Sequence, residues 1–211
     1  MNLKAIIFDF DGTIADTESF YADNFFDAMK LQGVICDEED RISTIGFGPY
    51  EKVAMMEEKY HVKLDGEKIT FDFRKMNVDR FPEDASDFLF DDVEEALIYC
   101  KKKGLKIYIC SNTDSVKVER IVKQMGIFDY FDGIVGKDIS GARKPSAQPY
   151  NFIVEHYGFD KNQVLAVEDS LSGVYSSKAA NIMTIGLERV RGLKLNGDIT
   201  ISSLKELEKV L

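Results

Sequence analysis

The chain has 211 residues, 45% hydrophobic and 30% charged, with a formal net charge of −10. That size and balance suit a soluble protein with one sizeable core, or a core plus a smaller module, and the negative charge argues against nucleic acid and anionic membranes as partners. No stretch approaches the ~18 consecutive apolar residues of a membrane span, and the N-terminus lacks the basic, apolar and small-residue series of a signal peptide, so the cytoplasm is the expected compartment. Cys36, Cys100 and Cys110 have no metal-ligand spacing and read as reduced thiols. His61 and His156 share no motif.

Ala5-Ile6-Ile7-Phe8 is an apolar run of the kind that forms a strand buried on both faces. It stops at Asp9 and Asp11, one residue apart, followed by Gly12. Bare carboxylates are too costly for a strand interior, so both are expected at the strand's C-terminal mouth, where open α/β sheets place ligands. Two like charges so close need a counter-charge, and a divalent metal is the usual one. Asp-x-Asp-Gly alone also reads as a strand end and a turn; its place after a buried strand, with partners downstream, favours the functional reading.

From Asp16 to about Ser86 the periodicity is helical. Phe20, Phe25, Ala28, Met29 and Leu31 predict one helix stopped by Gly33, residues 50–60 a second, and Ile69, Phe73, Met76 and Val78 a third. Between Asp16 and Asp87 there are 18 acidic and 9 basic residues, against 19 and 18 in the remainder. A block with its own charge balance is a candidate module, although a solvated helical surface accounts for most of the excess. The expected division is a core of residues 1–15 and 89–211 with a helical insertion over 16–88.

From Leu89 strands and helices alternate. Asp91 and Asp92 are candidate caps for a helix ended by Lys101-Lys102-Lys103-Gly104, a basic last turn with glycine beyond it. Strands are expected over 105–110, 133–135, 164–167, 182–185 and 198–201, with helices between them; Ser203 to Glu206 has capping-box spacing and opens the last helix. This alternation predicts an α/β fold with a doubly wound parallel sheet.

The apolar strands end on chemistry. The first ends at Asp9 and Asp11, the second at Ser111-Asn112, the fourth at Glu168-Asp169, and Arg143-Lys144-Pro145 lies between the last two. Parallel strand ends share one sheet edge. Singly, Ser111-Asn112-Thr113 reads equally well as an N-cap cluster, Lys144 as a loop lysine and Glu168-Asp169-Ser170 as a helix start. Together, in this order, they suit phosphoryl transfer: Mg²⁺ and a lysine offset the repulsion between a phosphate and an attacking carboxylate, and a second acid moves protons.

With these four motifs the chain resembles the haloacid dehalogenase superfamily, in its β-phosphoglucomutase-like phosphatase group, over essentially its whole length. The resemblance implies a Rossmann-like core with an α-helical cap inserted after the first motif. It implies Asp9 as nucleophile, Asp11 as general acid/base, and Ser111, Asn112 and Lys144 as phosphate-binding residues. Mg²⁺ would be held by Asp9, the Asp11 backbone carbonyl and Asp169, with Glu168 as ligand or supporting partner.

The expected substrate is a small phosphorylated metabolite, a sugar phosphate first among them, and nothing in the sequence demands more than a monomer. Phosphatase ranks ahead of sugar phosphomutase: Asp16-Thr17 matches the mutases, but their histidine four residues after that threonine is Tyr21 here. A dehalogenase would lack the second acid, Asp11. A non-catalytic binding protein on this fold ranks last, because every motif residue is retained. Candidate substrate-facing residues of the insertion are Thr17, Glu18, Tyr21, Gly46, Arg74 and Lys75. For Gly46 a plain helix–helix turn is an equally good reading, and for Arg74 and Lys75 a solvated helix face is the commoner one.

Overall fold

A computed structural model of the protein describes residues 2–189 and 193–211. The strands β1 (Ala5–Phe8), β2 (Lys106–Cys110), β3 (Gly133–Val135), β4 (Val164–Glu168), β5 (Met183–Leu187) and β6 (Ile199–Ile201) form one sheet in the order β3-β2-β1-β4-β5-β6. Every neighbouring pair is parallel, so this is a doubly wound, Rossmann-like sheet with β1 and β4 meeting where the strand order reverses. The helices are α1 (Glu18–Lys30), α2 (Glu38–Ser43), α3 (Pro49–Tyr60), α4 (Gly66–Asp79), α5 (Val93–Lys102), α6 (Ser115–Gln124), α7 (Lys137–Ser140), α8 (Gln148–Tyr157), α9 (Leu171–Ala179) and α10 (Leu207–Val210). No helix among the described residues is long and apolar enough to cross a membrane.

The chain divides into two compact units. One comprises residues up to Asp16 together with Asp84–Leu211; the other is Thr17–Glu83. In the first, β1 and β4 are completely buried, and apolar except for Glu168 at the end of β4, as strands covered on both faces must be. Ala5 and Ile7 join Tyr108, Val164 and Ala166 in a cluster that Tyr150, Ile153 and Val154 of α8 close. The second unit has its own core of Phe25, Ala28, Met29, Val53, Met56 and Ile69.

Several expectations are corrected. Residues 84–88 pack with the sheet unit rather than with the insertion, because Ala15 bridges Leu89 and Asp16 N–H donates to the Phe88 carbonyl at 2.7 Å. Val78, placed inward on α4 by its spacing, is 78% exposed. Asp92 precedes α5 but makes no side-chain cap; its carboxylate accepts from Arg189, Ser203 and Leu204 instead. The Ser203–Glu206 stretch opens a 3₁₀ turn rather than a capping box, with Ser203 Oγ accepting from Lys205 N–H and the Glu206 carboxylate accepting from Ser202.

Helix α2 escaped the periodicity reading because it is short and charged. Side chains hold it: Asp37 and Asp40 exchange reciprocal capping bonds. The Asp40 carboxylate is fully buried and also accepts from Lys59 Nζ at 2.8 Å and Tyr60 Oη at 2.5 Å, fastening α2 to α3. Burial opposes its charge, but the Lys59 and Tyr60 hydrogen bonds prevail and hold the carboxyl below its usual range. Because the folded value lies below the unfolded one, this stabilisation is complete above the ordinary carboxylate range, near pH 4, and is lost as pH falls through the lowered value. Asp40→Ala is expected to cost about 2–3 kcal/mol at pH 7, since Lys59 keeps partial access to water. The deficit should shrink below about pH 4; urea unfolding at both pH values checks both expectations.

Candidate active site

The sheet brings the chemistry-bearing strand ends together. Asp9 follows β1 and stays in register with β4, its N–H donating to the Val167 carbonyl at 2.9 Å. Ser111 follows β2 and donates in the same way to Val135 at 3.0 Å. Glu168 closes β4 and Asp169 comes next.

Lys144, in the loop between α7 and α8, enters this edge from the side. Its Nζ donates to Asp9 Oδ1 at 2.6 Å and to the Cys110 carbonyl at 2.7 Å, and lies 2.6 Å from Glu168 Oε1. Burial opposes the ammonium charge, but Asp9 and Glu168 outweigh it and raise the Lys144 pKa above the usual lysine range. The loop is pinned by Asn112, whose Oδ1 accepts from Lys144 N–H at 2.8 Å while Nδ2 donates to the Lys144 carbonyl at 3.3 Å. Asn112 therefore does more than the sequence indicated: its side chain fixes where the lysine stands.

Glu168 is wholly buried. Tyr150 Oη donates to its Oε1, and its Oε2 has no hydrogen-bond partner among the described residues. Burial pushes the carboxyl above its usual range against the pull of Lys144. Asp9 Oδ2 accepts no hydrogen bond among the described residues. Asp11 points elsewhere, its Oδ2 accepting from Thr113 Oγ1 at 2.8 Å and more distantly from Ser111 Oγ at 3.5 Å.

Two glycines make room for the acids, and periodicity gave no signal for either role. Gly12 has φ +81°, and a Cβ there would stand 1.9 Å from Asp169 Oδ2. Gly173, in the first turn of α9, faces Glu168 so closely that a Cβ would stand 1.6 Å from Oε2. Thr13, fully buried, donates from Oγ1 to Asp169 Oδ1 at 3.1 Å. Thr13, Thr113, Tyr150 and Gly173 were missed as site residues. Only the spacing Glu168-Asp169-Ser170-Leu171-Ser172-Gly173, glycine inside a predicted helix turn, was a usable clue.

Asp9, Glu168 and Asp169 each offer an oxygen within 4.8 Å of the others. When ionised they outnumber the single Lys144 charge by two, and Glu168 Oε2 is an orphaned buried acceptor. An all-carboxylate oxygen set with that imbalance fits a hard divalent cation. The Asp11 carboxylate lies outside this group, so a metal role for Asp11 rests on its backbone carbonyl alone.

The remaining candidates belong to the helical unit. Thr17 is the N-cap residue of α1, Glu18 begins that helix, and Tyr21 stands edge-on to Phe20. Gly46 has φ +78° in the connection between α2 and α3. Arg74 is exposed on α4, and Lys75 pairs with Asp79 one turn on, as on a solvated helix face.

The family model for haloacid dehalogenase-like hydrolases matches residues 3–181, a span that includes β1 and every one of these strand-end residues. The chain belongs to this family. It is 30% identical over 217 residues to YhcW of Bacillus subtilis, which bears a provisional phosphatase name, covering 99% of this chain and 96% of that one. It is 26% identical over 193 residues to the phosphorylated carbohydrates phosphatase of Thermotoga maritima, covering 90% and 85% respectively. The structure superposes on a β-phosphoglucomutase from Clostridium difficile with a TM-score of 0.80 at 20% identity, covering 99% and 95% of the two chains. That likeness speaks for the shared haloacid dehalogenase-like fold.

The Gly173 contact yields a test. Glu168 cannot swing away from a new methyl group, because Lys144 and Tyr150 hold its other oxygen. Gly173→Ala is expected to lower stability by about 1–3 kcal/mol through overpacking and to weaken divalent-cation binding about tenfold or more. Thermal unfolding and a cation titration check this; wild-type values in both would contradict the crowding.

Proposed function

We propose that the protein is a Mg²⁺-dependent phosphatase that hydrolyses a small phosphorylated metabolite, a sugar phosphate being the leading class, through a phosphoryl group carried on Asp9. The observation that carries the reading is Lys144 Nζ bonded to Asp9 Oδ1 within a buried group of three carboxylates. The lysine aligns Asp9 and leaves Oδ2 without a donor. Asp9 Oδ2 attacks phosphorus, and the bond to the leaving oxygen breaks as Asp11 protonates that oxygen. Asp11 then takes a proton from water, which attacks the aspartyl phosphate, releases inorganic phosphate and restores the Asp9 carboxylate. Ser111, the Asn112 backbone and Lys144 hold the phosphoryl oxygens. Asp9, Asp169 and the Asp11 carbonyl would hold Mg²⁺, with Glu168 as fourth ligand or support; when bound, the ion offsets charge on the phosphoryl group.

Thr113 Oγ1 donates to Asp11 Oδ2 at 2.8 Å and steadies this acid beside Ser111. The helical unit acts as the cap that excludes water and reads the rest of the substrate. Its insertion straight after the Asp9–Thr13 motif supports this role, as do the relatives named as phosphatases. Tyr21, in the place of the mutases' histidine, favours transfer to water over transfer to a sugar.

A phosphate-release screen over a metabolite panel, run with Mg²⁺ and with excess chelator, tests the reading when a coupled assay for sugar-phosphate isomerisation accompanies it. Hydrolysis of at least one sugar phosphate is expected, lost in chelator and reduced by about 10³-fold or more in folded Asp9→Asn. Isomerisation far above phosphate release would make the protein a mutase, and near-normal turnover by Asp9→Asn would remove Asp9 as nucleophile.

A further inference from the structure

Arg189 lies just beyond β5, outside every motif, yet its guanidinium reaches the turn that follows Asp9 and Asp11. Nη1 and Nη2 donate to Asp92 Oδ2 and Oδ1 at 3.1 and 2.7 Å, a two-pronged pair. The group lies over the Phe90 ring, 3.9 Å from its centroid. Ser203 Oγ and Leu204 N–H, at 2.7 and 2.9 Å, also donate to Asp92 Oδ2. Nη2 also donates to the Thr13 carbonyl at 3.0 Å. No other donor reaches that carbonyl among the described residues, and Thr13 is fully buried.

Thr13 is therefore held at two points, its carbonyl by Arg189 and its hydroxyl on Asp169 Oδ1. The turn has no slack toward that acid, since Gly12 approaches Asp169 too closely for any side chain. A buried carbonyl stripped of its donor is costly enough to move the turn that carries it. Any such shift reaches Asp169 directly.

We propose that Arg189 is a positioning residue for the divalent-cation site: locked onto Asp92, it holds the Thr13 carbonyl and thereby sets where Asp169 presents its oxygen. The proposal rests on the metal reading above. It assigns a function to a pair that would otherwise be a staple between the end of β5 and the start of α5. A staple alone would affect stability and leave the metal untouched.

The test is calorimetric titration of Mg²⁺ alone into the full-length wild type, Arg189→Met, Arg189→Lys and Ser203→Ala, with a thermal melt of each. Ser203→Ala removes a support of Asp92 but leaves both Arg189 contacts in place. Arg189→Met is expected to weaken Mg²⁺ binding about tenfold, with kcat recovering at saturating Mg²⁺. Arg189→Lys, which cannot serve Asp92 and Thr13 together, should fall between it and the wild type, and Ser203→Ala should bind as the wild type does. Should Arg189→Met fail to fold, Arg189→Lys decides. Unchanged Mg²⁺ affinity in the folded Arg189 variants overturns the proposal, whatever their melting temperatures. A wild type that takes up no Mg²⁺ overturns the metal reading beneath it, and the proposal with it.

Discussion

One buried ammonium organises the sheet edge. Lys144 Nζ stands 2.6 Å from both Asp9 and Glu168, and these groups come from three separate stretches of chain. None of them is tolerable alone: an unpaired carboxylate or ammonium at that depth would neutralise or unfold its surroundings. Asn112 pins the backbone of Lys144, Tyr150 supports Glu168, and Gly12 and Gly173 vacate the volume that the acids occupy. The parallel register of β1, β2 and β4 follows from their apolar runs. The charged residues just past those runs are then delivered to one place without further design.

That separation explains how much was legible in the residues alone. Runs such as Ile6-Ile7-Phe8 and Leu165-Ala166-Val167 announce strands, and the residue after a run marks the ligand edge, so Asp9, Ser111 and Glu168 could be read directly. Lys144 was reachable through its motif with Pro145. Groups that act by fitting rather than by charge left little trace. Gly173 reads as an ordinary weak point in a helix until the Glu168 carboxylate is seen against it. Arg189 and Asp92 are 97 positions apart, and no periodicity couples them. Asp92 shows the same limit from the other side: local rules make it a helix cap, but a long-range pair claims its oxygens. Helix α2 was missed for a related reason, being held by Asp37, Asp40, Lys59 and Tyr60 rather than by an apolar stripe.

The two units divide the work differently. The sheet unit concentrates its charge in a buried group whose members answer one another. The helical unit carries most of the acidic excess of the chain, over a core of phenylalanine, methionine and aliphatic side chains. Lys75 finds its partner within its own helix, and Arg74 is exposed beside it. Substrate choice on the proposed reading therefore falls to a few positions near the first motif and the Gly46 turn, whereas the reaction itself is set by the sheet edge.

On the proposed reading, Lys144 orients Asp9 for attack on phosphorus. Acid quenching during turnover of a ³²P-labelled substrate, followed by peptide mapping, tests it most directly. Label is expected on the peptide that contains Asp9, sensitive to alkaline hydroxylamine as an acyl phosphate is and absent from Asp9→Asn. Turnover with no label on protein, or label on Ser111, would contradict it.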